Sequence, residues 1–236
     1  MGKAGQLTFN DIRMKTGRGG PRPGAGRPAA KRPVVHHVKR DDVSGNEPVH
    51  VTIRVVEEVP SLRRKRFLRT FQRSLRDVRV REDFRVVEYS VQTDHIHLIV
   101  EASDKEALAC GMKAVGSRLA RAVHRVYERT GRVLAGRYHL RVLTSPKEVR
   151  NAIAYVLLNV RKHFRQRNGK APPVRIDAAS SGRLFEGWRR RAPVDALVPG
   201  LREVSPAKTW LLRVGWKKCG LIDPAEVPGG RKRGVA

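Results

Sequence analysis

Two histidines one residue apart, His95-Ile96-His97, lie inside the strand-like run from Val91 to Val100. Successive strand side chains point to opposite faces, so His95 and His97 share one face while Ile96, Leu98 and Val100 point into a core. Two adjacent imidazoles on a rigid strand make half of a divalent-metal site. A His-x-His pair on a strand is also a common polar surface. The spacing therefore gains meaning only with a third ligand and a reactive group elsewhere.

Both occur on a later helical stretch. Val149, Ile153, Val156, Leu157, Val160 and Phe164 form one apolar stripe at helical spacing. Tyr155 and Asn159 lie off that stripe, one turn apart, and so neighbour each other on a side face. A tyrosine there can be a wedge at the core boundary. Beside the histidine pair the set acquires a chemical logic. Two imidazoles and the Asn159 oxygen would hold a divalent ion and leave positions open, and the mixed N/O set suits Mg²⁺ or Mn²⁺. The Tyr155 phenol can attack phosphorus and store the bond as a phosphotyrosine.

The charge balance says what such a site would act on. The 236 residues carry 50 Lys+Arg against 22 Asp+Glu, a formal +28. That field points to a polyanion, and the arginine excess favours phosphate contacts. DNA and RNA share this signature, so charge alone leaves both open. Two cysteines, Cys110 and Cys219, without a C-x-x-C, imply neither a disulfide framework nor a zinc knuckle, as in a reducing cytoplasm. Cys110 falls in a helical pattern and reads as a small packed residue. No apolar run is long enough to span a membrane, and the N-terminus has no apolar signal core. A cytoplasmic, nucleoid-associated protein with no membrane partner is expected.

The elements that must position these residues are legible in outline. Residues 1–47 read as a disordered basic Gly/Pro/Arg-rich arm. Its Gly26-Arg27-Pro28 step could lie in a narrow minor groove, or serve as a solvated linker with phosphate affinity. The folded region is expected over 48–168. Val49, Val51 and Ile53 alternate with His50, Thr52 and Arg54 as a half-buried strand. A basic helix from Ser61 to about Val78 turns Phe67, Leu68, Phe71 and Leu75 inward. Strands from Phe84 to about Gln92 and from about His95 to Glu101 form a hairpin bent at Thr93-Asp94. Ser103-Asp-Lys-Glu106 reads as a capping box opening a long helix that Gly131 stops. Arg118, Arg121 and Arg125 lie off its apolar stripe, either as a solvated face or as a ridge for a nucleic-acid backbone. A fourth strand runs roughly from Gly136 to Leu143. Ser145-Pro-Lys-Glu148 starts the last helix, and Asn168-Gly169 follows its end. Residues 169–236 are a basic extension, partly ordered, whose Trp188, Trp210 and Trp216 are better read as packing than as base-stacking platforms. The order β-α-β-β-α-β-α predicts an α+β fold: a ferredoxin-like split βαβ core with a central antiparallel sheet and an added C-terminal helix carrying the tyrosine.

Three segments in matching order carry a resemblance over roughly residues 48–165. They are Asp94-His-Ile-His-Leu-Ile-Val100, Gly136-Arg-Tyr-His139, and Ala154-Tyr-Val-Leu-Leu-Asn159. Together they resemble the single-tyrosine HUH transposases, the IS200-like group, and within it the REP-associated tyrosine transposases. The resemblance implies a ferredoxin-like core acting on single-stranded DNA at hairpin-flanked sites. It implies a 5′-phosphotyrosine with a free 3′-hydroxyl, and a divalent metal. By motif, His95 and His97 would be metal ligands, Tyr155 the nucleophile and Asn159 the third ligand. His139 is a candidate near-site residue. Where many relatives continue with Asn-Pro, this chain has Asn159-Val160, which bears on where the helix ends. Partners would be hairpin-forming single-stranded DNA and, as a candidate, a second copy of the chain. The competing readings are an HUH nickase with a host role, a catalytically inactive DNA-binding relative, and a basic RNA-binding protein.

Overall fold

The computed structural model describes residues 43–78, 81–194 and 202–229. Arg27 and the histidines at 36 and 37 lie outside them. The element order is β1 (Val49–Arg54), α1 (Lys65–Arg76), β2 (Phe84–Val91), β3 (His95–Ala102), α2 (Lys105–Tyr127), β4 (His139–Val142) and α3 (Pro146–Asn168). A short helix α4 (Trp210–Arg213) and two 3₁₀ turns, Ser181–Leu184 and Gly215–Cys219, follow. The four strands form one sheet in the order β2-β3-β1-β4. Every neighbouring pair is antiparallel. This is the split βαβ arrangement expected from the element order.

The alternation of β1 places Val49, Val51 and Ile53 in the core shared with α1 and α2. Ile96, Leu98 and Val100 of β3 point the same way. Helix α1 adds Phe67, Leu68, Phe71 and Leu75, and α2 adds Leu108, Met112, Val115, Leu119 and Val123. Gly111 lets α2 lie flat on β2: a Cβ there would stand 2.1 Å from the Phe84 ring. The opposite face of the sheet, with Val87 and Ile99, packs on α3 and on residues of the C-terminal extension. With both faces covered, β2 and β3 are buried almost throughout.

Several boundaries differ from the sequence reading for local reasons. Helix α1 starts at Lys65, because the chain turns through 62–64 first. The cap of α2 is Asp104, whose carboxylate accepts from the Ala107 N–H at 2.7 Å, while Ser103 donates to Asp104. The carboxylate is the stronger acceptor, so it displaces the expected Ser103. Helix α2 ends at Glu128 (φ 51°), three residues before Gly131. Cys110 is exposed, not packed. The start of α3 follows expectation: Ser145 Oγ accepts from the Glu148 N–H and Pro146 opens the helix, but the Glu148 carboxylate binds Thr144 and Arg141. Gly169 (φ 71°) closes α3.

The extension is built into the fold. Asp177 accepts both Nη groups of Arg63 at 2.9 and 2.7 Å. Glu101 accepts the backbone N–H groups of Lys208 and Thr209. Arg161 on α3 donates to the carbonyls of Pro173, Ala225 and Glu226. Trp216, Ile222, Leu211 and Leu212 bury against α3. Trp188 is half-buried and donates to the Gly182 carbonyl, and Trp210 is exposed with Lys218 over its ring. The covering layer also buries Ala152, Ala154 and Leu158 on the side of α3 that the single apolar stripe left open, whereas Phe164 of that stripe is exposed.

Candidate functional site

Cross-strand register builds the site before any helix joins it. Ser90, His97, Thr52 and His139 occupy one row across β2, β3, β1 and β4. On the face opposite the α1/α2 core, His97 Nδ1 stands 3.0 Å from Thr52 Oγ1 and 3.3 Å from His50 Nε2. His95 Nδ1 stands 2.7 Å from Asp94 Oδ1. A carboxylate only accepts, so His95 carries its proton on Nδ1. The matching tautomer of His97 donates Nδ1–H to Thr52. Both Nε2 atoms, 3.1 Å apart, then turn lone pairs toward a common point. Two such lone pairs repel unless a proton or a cation lies between them.

Helix α3 brings up the tyrosine. The Tyr155 ring centre is 5.1 Å from that of His97 and 5.8 Å from that of His50, both edge-on. Lys162 Nζ lies 4.7 Å from the Tyr155 ring centre. Burial raises the phenol above its ordinary pKa. Burial, with His50 next to it, lowers His97 to about 3. Burial and Arg141 lower His50 to about 4. Both imidazoles are therefore neutral at pH 7, the form that ligates metals.

Asn159 follows Tyr155 by one turn and is completely buried, and neither its Oδ1 nor its Nδ2 has a hydrogen-bond partner. A buried amide so left costs about 1–3 kcal/mol. One further turn on, His163 faces His95 at 6.5 Å between ring centres.

The donor set fits a divalent ion. Nitrogens 3.1 Å apart can each lie about 2.1 Å from one ion, subtending about 95°. Among the described residues, no three His, Cys, Asp or Glu side chains are gathered closely enough to hold a metal. His95 and His97 supply two of the donors that such a site needs.

The remaining sequence candidates are scattered. His139 shares the row of Thr52 but is exposed on the edge strand. Arg118, Arg121 and Arg125 sit on α2, on the other side of the sheet from Tyr155. His50, Thr52, Lys162 and His163 surround the site without having been singled out. The polar half of the β1 alternation carried a signal for His50 and Thr52. The four-residue spacing from Asn159 carried one for His163.

A groove of about 1060 Å³ opens beside Tyr155 and His50, bordered by Arg141, Lys147, Asn151 and Glu226. The fold and this cluster define a split βαβ domain whose sheet sets a histidine pair against a helix-borne tyrosine. Residues 46–156 match the family described as transposase IS200 like. The match includes Tyr155 and stops short of Asn159. No curated protein matches the chain. Among solved structures, a REP-associated tyrosine transposase bound to a REP hairpin is similar at 15% identity and TM-score 0.43, over 55% of this chain and 74% of that one. A bacterial tRNA(His) guanylyltransferase-like protein is similar in its GTP complex at 13% identity and TM-score 0.39, over 55% and 70%. Its ATP complex gives 10% and 0.40, over 57% and 66%. No described helix is long and apolar enough to cross a membrane.

Proposed function

We propose that the protein is a metal-dependent tyrosine transposase of the REP-associated kind, cutting and rejoining single-stranded DNA near hairpins. The observation that carries this reading is the Tyr155 ring 5.1 Å from His97, whose Nε2 converges with that of His95. The Tyr155 phenol loses its proton and its oxygen attacks phosphorus. The P–O3′ bond breaks, and the departing 3′-oxygen takes up a proton as a free hydroxyl. The 5′-phosphate remains on Tyr155 until an incoming 3′-hydroxyl reverses the exchange. Mg²⁺ or Mn²⁺ held by His95, His97 and Asn159 would supply polarisation of the phosphate oxygen.

Each neighbouring residue has a task in this scheme. Asp94 and Thr52 keep the Nε2 lone pairs of His95 and His97 free. Lys162 Nζ, 4.7 Å from the Tyr155 ring centre, sets a positive charge against the ring face. The groove at Arg141, Lys147 and Asn151 offers a path for the strand entering Tyr155. Incubation with labelled single-stranded hairpin DNA and Mn²⁺ tests the reading. A denaturant-stable protein–DNA adduct is expected. Tight binding without an adduct would instead favour an inactive DNA-binding relative, and an adduct without strand transfer a nickase.

A further inference from the structure

The sequence predicts packing for the three tryptophans, and Trp216 is only 2% exposed, but Trp210 is 53% exposed. The exposure is built into the fold. Glu101 of β3 accepts the backbone N–H groups of Lys208 and Thr209, which anchors the pair just before Trp210. Leu211 and Leu212 of α4 then turn inward toward α3 and leave Trp210 outside. Gly215 lies against the Trp210 ring: a Cβ there would stand 2.7 Å from it. Cations surround the ring. Lys218 Nζ stands 5.1 Å from its centre, and Arg213 and Lys217 are exposed close by in the chain. No acid occurs from Lys208 to Leu221.

This surface continues the groove that opens at Tyr155. Cys219, next to Lys218, lines that groove. Lys147, Asn151 and Tyr155 line it along α3, over about 12 Å of helix. Arg150, from the same stretch of α3, donates to the carbonyls of Gly220 and Leu221 at 3.2 and 3.3 Å. The exposed ring is therefore held to the helix that carries the tyrosine.

We propose that Trp210 is a stacking platform for an unpaired base of a DNA strand lying in this groove, with Arg213, Lys217 and Lys218 meeting the phosphates beside that base. The proposal rests on the transposase reading in taking DNA as the ligand and the groove at Tyr155 as its path. The platform lies outside residues 46–156, which match the family, and belongs to the extension. Every base has a π-face, so an exposed indole takes unpaired nucleotides with little regard to sequence. A duplex keeps its bases inside and offers the ring nothing to stack on. The contact of Lys218 with an exposed ring is weaker than base stacking. An arriving base therefore displaces the ammonium, which swings on its flexible stem to the adjacent phosphate. A lipid surface fits less well. Interfacial binding grows with the apolar area inserted, and the four-residue α4 turns Leu211 and Leu212 inward.

The test uses the full chain without divalent metal, so that binding is read apart from cleavage. Affinity for oligothymidine, for the same strand made abasic, and for a blunt DNA duplex is measured across a salt series. W210A should bind oligothymidine about 5-fold to 100-fold more weakly than wild type. The factor should be the same at every salt concentration, because stacking releases no counterions. W210F, which keeps a smaller ring, should recover part of the affinity. K217Q/K218Q should instead flatten the slope of log affinity against log salt, by about 0.7 per lost phosphate contact. The abasic strand and the duplex should bind wild type and W210A alike. Oligothymidine should quench the tryptophan fluorescence of wild type, and less so that of W210F. Unfolding midpoints should match wild type, and W210F provides the reading should W210A fail to fold. Undiminished affinity in W210A, an equal loss on the abasic strand or the duplex, a larger loss on an RNA strand, or an equal loss of binding to phosphatidylserine vesicles would overturn the proposal. A base-dependent loss in a protein that forms no adduct would retain the platform and reject the catalytic reading. An adduct with no effect of W210A on binding would do the reverse.

Discussion

The Nε2 atoms of His95 and His97 stand 3.1 Å apart, while each Nδ1 is turned to an oxygen, Asp94 Oδ1 for the first and Thr52 Oγ1 for the second. The ring orientations are therefore set from behind by residues that would not touch an ion themselves.

Thr52→Val keeps the shape of this support and removes its oxygen. The substitution should weaken Mn²⁺ binding about 10-fold to 100-fold, the usual cost of losing such a hydrogen bond. Titration followed by Mn²⁺ electron paramagnetic resonance reads it directly. Thr52→Ser, which restores the hydroxyl, should bind close to wild type. Equal affinity in the valine variant would show that the hydroxyl does not orient His97.

Asn159 gives the opposite pairing of effects. Its amide is buried and unpartnered, so Asn159→Leu replaces it with an apolar group of similar size. Without metal the variant should be more stable by about 1–3 kcal/mol, the cost of an unsatisfied buried amide. Its Mn²⁺ affinity should fall. Urea denaturation and the same metal titration check both halves. A destabilised variant with unaltered metal binding would show that the amide serves packing alone.

Stability should depend on pH in a way set by buried groups. His97 and His50 are lowered to about 3 and 4, chiefly by burial. Between roughly pH 6.5 and 4.5 the unfolded chain binds two protons that the folded chain refuses. Glu88 is raised to about 8 by burial, so in the same window the folded chain holds a proton that the unfolded one has lost. From these three groups the net difference is one proton, about 1.4 kcal/mol per pH unit, and His163, lowered by burial, adds to the fall of stability on acidification. His50→Gln should make the fall shallower, and Glu88→Gln should steepen it. Denaturation midpoints at pH 6.5, 5.5 and 4.5 decide. A fall that steepens in His50→Gln would contradict these assignments.

The strand skeleton was legible because its signals are local. Val49, Val51 and Ile53 alternate, and His95 and His97 share a face by spacing alone. Tyr155 and Asn159 were placed together by helical geometry. The shell around them was not legible, because it depends on register. Thr52 meets His97 across two strands, 45 residues apart in the chain. The burial of α3 on more than one stripe depends on residues 170–194 and 202–229, whose sequence carries no periodic pattern. Cys110 was misjudged because a helical stripe fixes a direction, not where the core ends.

That extension should unfold with the rest. Trp216 is 2% exposed between α3 and the following turns. Trp216→Ala should cost about 3–5 kcal/mol and lower the midpoint of a single transition. Calorimetry with two resolved transitions would instead make the extension an independent unit.

The central claim is that Tyr155 carries the DNA. Wild-type protein and Tyr155→Phe are incubated with 5′- and 3′-labelled hairpin DNA and Mn²⁺, denatured, and digested, and the labelled peptide is sequenced by mass spectrometry. The account predicts a 5′-phosphate on the Tyr155 peptide in the wild type, a free 3′-hydroxyl on the other fragment, and no adduct in the variant, whose hairpin affinity stays within about twofold because phosphate contacts dominate binding. An undiminished adduct in Tyr155→Phe, or one mapped to Tyr138, would contradict it.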